Sequence, residues 1–591
     1  MNERNLHDST ADVRAIVLAA QGFDPDIGES VRRLVDVLDE YAAVLAKSRQ
    51  ARQNIGNANN PSIWPTLRRL WAAASHAHTD PDPEDAPRLI ALSVSLARFT
   101  RNLVAATPSN QKEAFVNEEA IRSLIYYYTS FQATQDASSF PATRVLSQAL
   151  SNIVTENDAL AQRLWTAYLN LPEERLILTI SRLRRLFAHP DARTVSAAFV
   201  LVLNCLHDSP HRVELLTRSP RGPRVCLTML DRIACLFEAE ESTEEGRAFD
   251  IGYAIFKRII EAGLVAELYV RLAVEDEIVT PHQTTLLKLV DSYLHGSQRA
   301  HELALSRRPG TDRGSLFDML ATSFLKLSSY AQDSIRRAIP SGSVSPDKKA
   351  GTHSPAETEV DAPPLQNLDL LLPKVCEALV LVTECLTTVA LRAEEAAAAR
   401  AAVIPPPPEL VGSSPKDILV AATATTGQGF VECLIETLRL VDAFVPRITY
   451  GKAVKRPVPP EAADAPLQGR GAASSANEGG IPPEPTQDAK RAQAFAHVKR
   501  DLVRLLGILA SENRAVQDRV RESGGIPLVM NMCVVDDYNP YLREHAIFAL
   551  RNLLFGNMEN QAVVDAIKPV GRWDEEEILQ DIRGGDVFRS G

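Results

Sequence analysis

The sequence predicts an all-α chain of stacked helical repeats, on three observations. Apolar residues recur at three- and four-residue steps through 10–335, as in Val31, Leu34, Val35, Leu38, Tyr41 and Leu45. No run alternates Val, Ile and Thr between Asn-Gly turns, so no strand ladder is expected. One short pattern returns along the chain: an apolar helix end, an Asn, an apolar pair, a polar loop and a new helix.

The bulk numbers agree. At 591 residues the chain is too long for one compact core, so several domains or one long array are expected. It is 45% hydrophobic and 24% charged, like an ordinary soluble protein, but only 6% aromatic. Plentiful Ala and Leu favour helices, whereas strands prefer aromatic and β-branched residues.

The repeated pattern reads RNLVAATPSNQ at 101–111, SNIVTENDALAQ at 151–162, LNCLHDSPHRV at 203–213 and RNLLFGNMENQ at 551–561. Asn102, Asn152 and Asn204 lie 50 and 52 residues apart. That is slightly longer than the ~40–47 residues of armadillo or HEAT repeats. Helix pairs or triplets of this kind cannot hide their apolar faces alone; stacking them builds a continuous core. An armadillo-like solenoid follows, with its N-terminal array at 1–338.

Two segments break the pattern. Residues 339–366 are rich in Pro, Ser and Gly and are expected to be a disordered linker, as is 446–489. Between them, 367–445 is expected to form middle helices, one of them over about 416–445, with a Pro-rich break at 405–408. The last ordered block is 490–585.

The net charge of -11 sets up a field that opposes nucleic-acid phosphates. Arg68 with Arg69, and Arg182, Arg184 and Arg185, are the nearest basic clusters, and both read as solvated helix faces. The opening MNERNLHDST has no apolar signal core, and the most apolar run, Val195 to Leu206, is too short to span a bilayer. No nucleic-acid partner and no membrane insertion are expected. Seven scattered Cys without a CxxC fit reduced thiols in a cytosolic protein.

The search for reaction chemistry returns nothing that holds. Gly427 and Gly429 in TTGQGF lack the Lys and the preceding strand of a phosphate cradle. His76 and His78 are two apart, so they do not share a helix face, and the acidic PDPED run after them reads as a solvated loop. Met530, Met532 and Cys533 come nearest to a copper(I) donor set, but apolar packing explains them. No catalytic residues, no metal ligands and no cofactor are expected, and the chain reads as a non-enzyme.

The C-terminal block is the most specific stretch. Val498, Leu502, Leu505, Leu506 and Leu509 share one helix face. Asn513 can cap the next helix, which ends at Gly524-Gly525. Pro527 suits the first turn of a third helix, and Asn539-Pro540 is the expected start of a long helix through Phe555. With R504-L-L-G507, N513-x-x-x-Q517, G525-I-P-L528, D536-D-x-N-P540, R543-E-x-A-I547, R551-N-L553 and N560-Q561 in order, the block resembles the C-terminal domain of the ataxin-10 family. Ile508 stands where relatives tend to carry the Asn seen at Asn102 and Asn552.

That resemblance implies a cytoplasmic armadillo-type scaffold linked to cytokinesis and cell-division control. Some fungal relatives carry a copper-transport name, which implies a trafficking or copper-related factor as the alternative. The partners implied are other proteins held in the solenoid groove, a second copy of the chain included. Asn102, Asn152, Asn204 and Asn552 resemble the groove-lining Asn of armadillo repeats; the competing reading has each bonding a neighbouring helix end. Asn is a poor mid-helix residue, so its recurrence asks for a reason. Ser345, Ser354 and Ser414 each precede Pro in or beside the expected linkers and are candidate phosphosites.

Overall fold

The computed structural model describes residues 9–79, 83–170, 185–297, 300–306, 314–339, 369–403, 414–449, 452–453, 493, 495–567, 571–573 and 579–581. The chain divides into two compact units, 1–273 with 281–289, and 274–280 with 290–591.

Unit 1 contains α1 (Ser9–Gln21), α2 (Gly28–Lys47), α3 (Arg49–Asn57), α4 (Trp64–Ala77), α5 (Ala86–Val104), α6 (Pro108–Ala114), α7 (Glu118–Tyr128), α8 (Phe140–Val154), α9 (Asp158–Asn170), α10 (Ala192–Leu206), α11 (Pro210–Arg218), α12 (Gly222–Leu236), α13 (Glu244–Glu261) and α14 (Val265–Arg271). Its spine is the succession α2, α5, α8, α10, α13, each packed on the next. The heptad-like apolar spacing puts Leu34, Leu38 and Leu45 of α2 and Leu92, Leu96 and Leu103 of α5 wholly out of water. Each such burial contributes about 1.5–3 kcal/mol.

α15 (Pro281–Gly296) crosses the division between the units. Unit 2 continues with α16 (Ala300–Leu305), α17 (Leu316–Ala338), α18 (Leu372–Val403), α19 (Pro415–Ala421), α20 (Phe430–Phe444), α21 (Val498–Ala510), α22 (Arg514–Glu522), α23 (Gly525–Asn531), α24 (Leu542–Leu554) and α25 (Met558–Asp565). Here α17, α18, α21 and α24 pack in succession. The two units are therefore all-α stacks of armadillo-like layers, as the periodicity predicts. The only strands among the described residues form two short antiparallel ladders, β1 (Ile448–Thr449) with β2 (Lys452–Ala453) and β3 (Gly571–Trp573) with β4 (Leu579–Asp581).

The layers turn in one way. After α5, α8, α10, α21 and α24 the chain passes a C-cap, then one left-handed residue, then the residue that heads the next helix. The left-handed residues are Ala106, Glu156, Asp208, Glu512 and Gly556, with φ of 51°, 54°, 48°, 54° and 65°. Only one of the five is Gly, the residue that takes this conformation without steric cost.

Several boundaries differ from the sequence-based expectation. The stretch 416–445 splits into α19 and α20, because Gly427 takes φ +82° and Ala422 to Phe430 closes on itself. At the start of the segment expected as a linker from Pro446, Ile448 is buried, and its carbonyl accepts the Asp537 N–H at 2.8 Å, which holds β1 in unit 2. The long helix expected from Pro540 begins at Leu542, with Tyr541 left-handed at φ 64° as its N-cap. Asn539 instead donates its amide to Asp536. Residues 340–366, 405–408 and 454–489, where the linkers and the Pro-rich break are expected, lie outside the described residues.

Candidate functional site

The recurrent Asn residues join one layer to the next. Asn102 Nδ2 donates to the Ala42 carbonyl at 2.8 Å, Asn152 to that of Arg101 at 3.0 Å, and Asn552 to that of Gly507 at 2.9 Å. Asn204 donates to the hydroxyls of Ser151 and Thr155, both at 2.8 Å. The reason is visible at the helix ends. The Ala105 N–H turns to the Asn102 carbonyl and the Ser511 N–H to that of Ile508, so Arg101 and Gly507 present carbonyls that the next layer satisfies. α8 ends differently: the Thr155 N–H takes the Ser151 carbonyl, and Asn204 finds hydroxyls instead.

A second rung repeats in the turns. Four residues after the N-caps Ser48, Thr107 and Asn513 stand Arg52, Gln111 and Gln517. Each donates to the C-cap carbonyl of the following layer: Ala105 at 2.9 Å, Thr155 at 2.8 Å and Phe555 at 3.4 Å. Asn157 and Asn557, which head α9 and α25, donate back to the side-chain oxygens of Gln111 and Gln517. A third rung closes three of the turns on their own helices: Asn110 to Leu103, Arg212 to Cys205 and Asn560 to Leu553. The motifs N513-x-x-x-Q517, R551-N-L553 and N560-Q561 are thus the staples of the stack. The sequence displayed these residues but not their targets.

One open cleft lies on the spine of unit 1. Arg144, Gln148, Ser151 and Asn152 of α8, Arg193, Ser196, Ala197 and Val200 of α10, and Glu244 of α13 line a volume of about 430 Å³. Arg101 of α5 reaches it through Gln148, donating to Oε1 at 2.5 Å. Among the described residues Arg101 has no carboxylate partner; burial, then the neighbouring Arg98, hold its pKa below the ordinary arginine value. Arg144 meets Asp191 only at 3.9 Å, while Arg193 and Arg247 share Glu244 at 3.3 and 2.8 Å. Ser196 Oγ is buried and unpartnered. Of the four Asn candidates, Asn152 lines this cleft and Asn204 a smaller hollow of about 260 Å³ beside it. Asn102 serves α2–α5, and Asn552 belongs to unit 2. Sequence reading missed the arginines because they come one per layer, at 101, 144, 193 and 247, not in a run. Arg182 and Arg184 lie outside the described residues; Arg185 sits over the Tyr126 ring at 4.5 Å.

Unit 2 holds a buried polar centre that no motif announced. Arg500 pairs with Glu384 at 2.9 Å and Asp501 at 2.6 Å and donates to His497. Burial pushes the Asp501 carboxyl up to about 6, against the pull of Arg500. Beside it Lys499 is sealed between Asp536 at 2.9 Å and Asp442 at 3.7 Å. These groups are engaged with one another.

The remaining candidates resolve simply. His78 is buried, with Ala74 O and Tyr128 Oη on its two nitrogens. Asp80 and Asp82 lie outside the described residues, as do Ser345 and Ser354. Ser414 is the N-cap of α19 in a capping box with Asp417. Met532 is buried and Cys533 Sγ contacts the Val529 carbonyl. Among the described residues no cluster of three His, Cys, Asp or Glu could hold a metal.

Layered helices, amide rungs and an exposed cleft on the spine define a helical-repeat protein of the armadillo type. Residues 498–587 match the spinocerebellar ataxia type 10 protein domain, in line with the C-terminal motifs. The chain is 42% identical over 80 residues to an ataxin-10 homolog of Dictyostelium discoideum, covering 14% of this chain and 13% of that protein. It is 40% identical over 76 residues to ataxin-10 of Homo sapiens, covering 13% and 16%. The aligned parts are thus a small fraction of either relative's length. The crystal structure of SYS-1 overlaps 91% of this chain and 72% of its own, at 10% identity and a TM-score of 0.31.

Proposed function

We propose that this chain is a non-catalytic scaffold that holds partner proteins in the cleft of α8, α10 and α13. One observation carries the reading: the amides of the spine are spent on joining layers, while Arg144, Gln148 and Arg193 stay at an open surface. Polar groups left weakly paired at a concave site are the ones a partner can satisfy. In this reading Asn152, whose Nδ2 is taken, offers its carbonyl oxygen to a bound segment. The likeness of residues 498–587 to the ataxin-10 domain supports a cytoplasmic setting and a part in cytokinesis. No helix among the described residues is long and apolar enough to cross a membrane. Phosphorylation at Ser345, Ser354 and Ser414 belongs to the same proposal as its regulation; at Ser414 it has to displace the capping box.

The test places a photo-crosslinking amino acid at Val200, in the cleft, in dividing cells. Discrete adducts that disappear in the Arg144→Glu/Arg193→Glu variant are expected, together with binucleate cells when that variant replaces the natural chain. Absence of adducts with a correctly folded chain overturns the reading.

A further inference from the structure

We infer that the segment held in this cleft is extended and acidic, with a carboxylate at every third residue. The inference rests on the cleft being the binding surface, and it adds the chemistry of the occupant. Successive spine helices present one arginine each: Arg101 on α5, Arg144 on α8, Arg193 on α10 and Arg247 on α13. Among the described residues, two carboxylates pair with these four cations: Glu244, shared by Arg193 and Arg247, and Asp191, which reaches Arg144 only at 3.9 Å. Arg101 there meets the neutral oxygens of Gln148 and Asn102. The chain as a whole carries -11, so this strip reverses the sign of the surrounding field. Local reversal of sign attracts an acidic ligand and repels a basic one.

The period follows from two lengths. Packed helices lie about 8–10 Å apart. A polyproline II segment is extended, advances about 3.1 Å per residue and turns once in about three residues, so every third side chain returns to one face. Three residues of such a segment therefore match one layer, and carboxylates at that interval meet successive guanidiniums, which bind them with charge-assisted hydrogen bonds.

The full chain is titrated by fluorescence anisotropy with labelled dodecapeptides of Ser and Ala carrying Glu at every third position. Controls carry the same Glu clustered at one end, or Lys in place of Glu. Binding about tenfold tighter for the every-third Glu peptide is expected, with the preference lost in Arg144→Glu/Arg193→Glu and weakened by salt. Should the double reversal unfold, Arg144→Gln is read in the same assay and is expected to halve the preference or more. Equal binding of all three peptides overturns the inference and leaves the scaffold reading intact. Equal binding of the clustered peptide overturns the three-residue period. If no peptide binds while Val200 crosslinks to partners in cells, the acidic occupant is wrong and the scaffold stands; if neither occurs, both fall.

Discussion

The side-chain amide of Asn152 donates to the backbone carbonyl of Arg101 at 3.0 Å, and Asn552 repeats the bond to Gly507 at 2.9 Å in the other unit. Both acceptors stand four residues before a C-cap whose N–H has gone elsewhere. The bond thus satisfies a carbonyl that helix geometry leaves open. Asn152→Ala and Asn552→Ala are expected to cost about 1 kcal/mol each in urea denaturation, the usual net value of one hydrogen bond. Asn204→Ala is expected to cost less, because its hydroxyl acceptors are not orphaned carbonyls: Thr155 Oγ1 also bonds the Ser151 carbonyl. Equal losses at all three sites contradict this account.

The left-handed turn residues give a second prediction. At Gly556, φ 65°, an added Cβ has open space but sits in a disfavoured backbone conformation. Gly556→Ala is expected to lower stability by about 1 kcal/mol. Glu512→Gly, at φ 54° in the preceding turn, is expected to leave stability unchanged or raise it slightly. A denaturation midpoint that moves the opposite way in both variants refutes the turn assignment.

His189 makes the start of α10 sensitive to acid. It is buried, and its Nδ1 accepts the N–H of Asp191, the residue that caps α10. Burial, opposed by Asp191 and aided by Arg232, holds its pKa at about 4. Because the folded value is depressed below the unfolded value of about 6.5, its contribution is complete above pH 6.5 and is lost as pH falls towards 4. Hydrogen-exchange protection in 189–196, corrected for the intrinsic pH dependence of amide exchange, is expected to fall as pH drops through that window. His189→Gln is expected to flatten the response; an unchanged pH profile in that variant excludes His189 as the cause.

Lys499 tests the buried charges of unit 2. It is 1% exposed beside Asp536, also 1% exposed. Lys499→Met leaves the buried Asp536 carboxylate without this cation, and a loss of about 3–5 kcal/mol is expected. Adding Asp536→Asn is expected to restore part of it, since the second change removes one stranded charge. A double variant no more stable than Lys499→Met rules out the coupling.

Much of this fold was legible in the chain. Helical spacing such as that of Leu34, Leu38 and Leu45 announces a buried stripe, because only a 3.6-residue period brings those positions to one face. The N-cap at Asn513 and the break at Gly524 were legible for the same local reason. The turns were not: Ala106, Glu156 and Asp208 carry no sign of a positive φ, which neighbouring layers impose on them. The Asn residues stood out, but their acceptors depend on how the previous helix frays. The arginines of the cleft, spaced a layer apart, were invisible to any search for a basic run.

By itself the sequence determined what depends on neighbours along the chain: helix content, the repeat interval, the apolar stripes and the C-terminal signature of the family. Contacts across layers decided the rest. Whether Asn152 faces a partner or the Arg101 carbonyl, and whether Arg144 and Arg193 share a surface, turns on residues some fifty positions apart. Those distances close only when packed helices bring them together, so the cleft and its charge are properties of the stack.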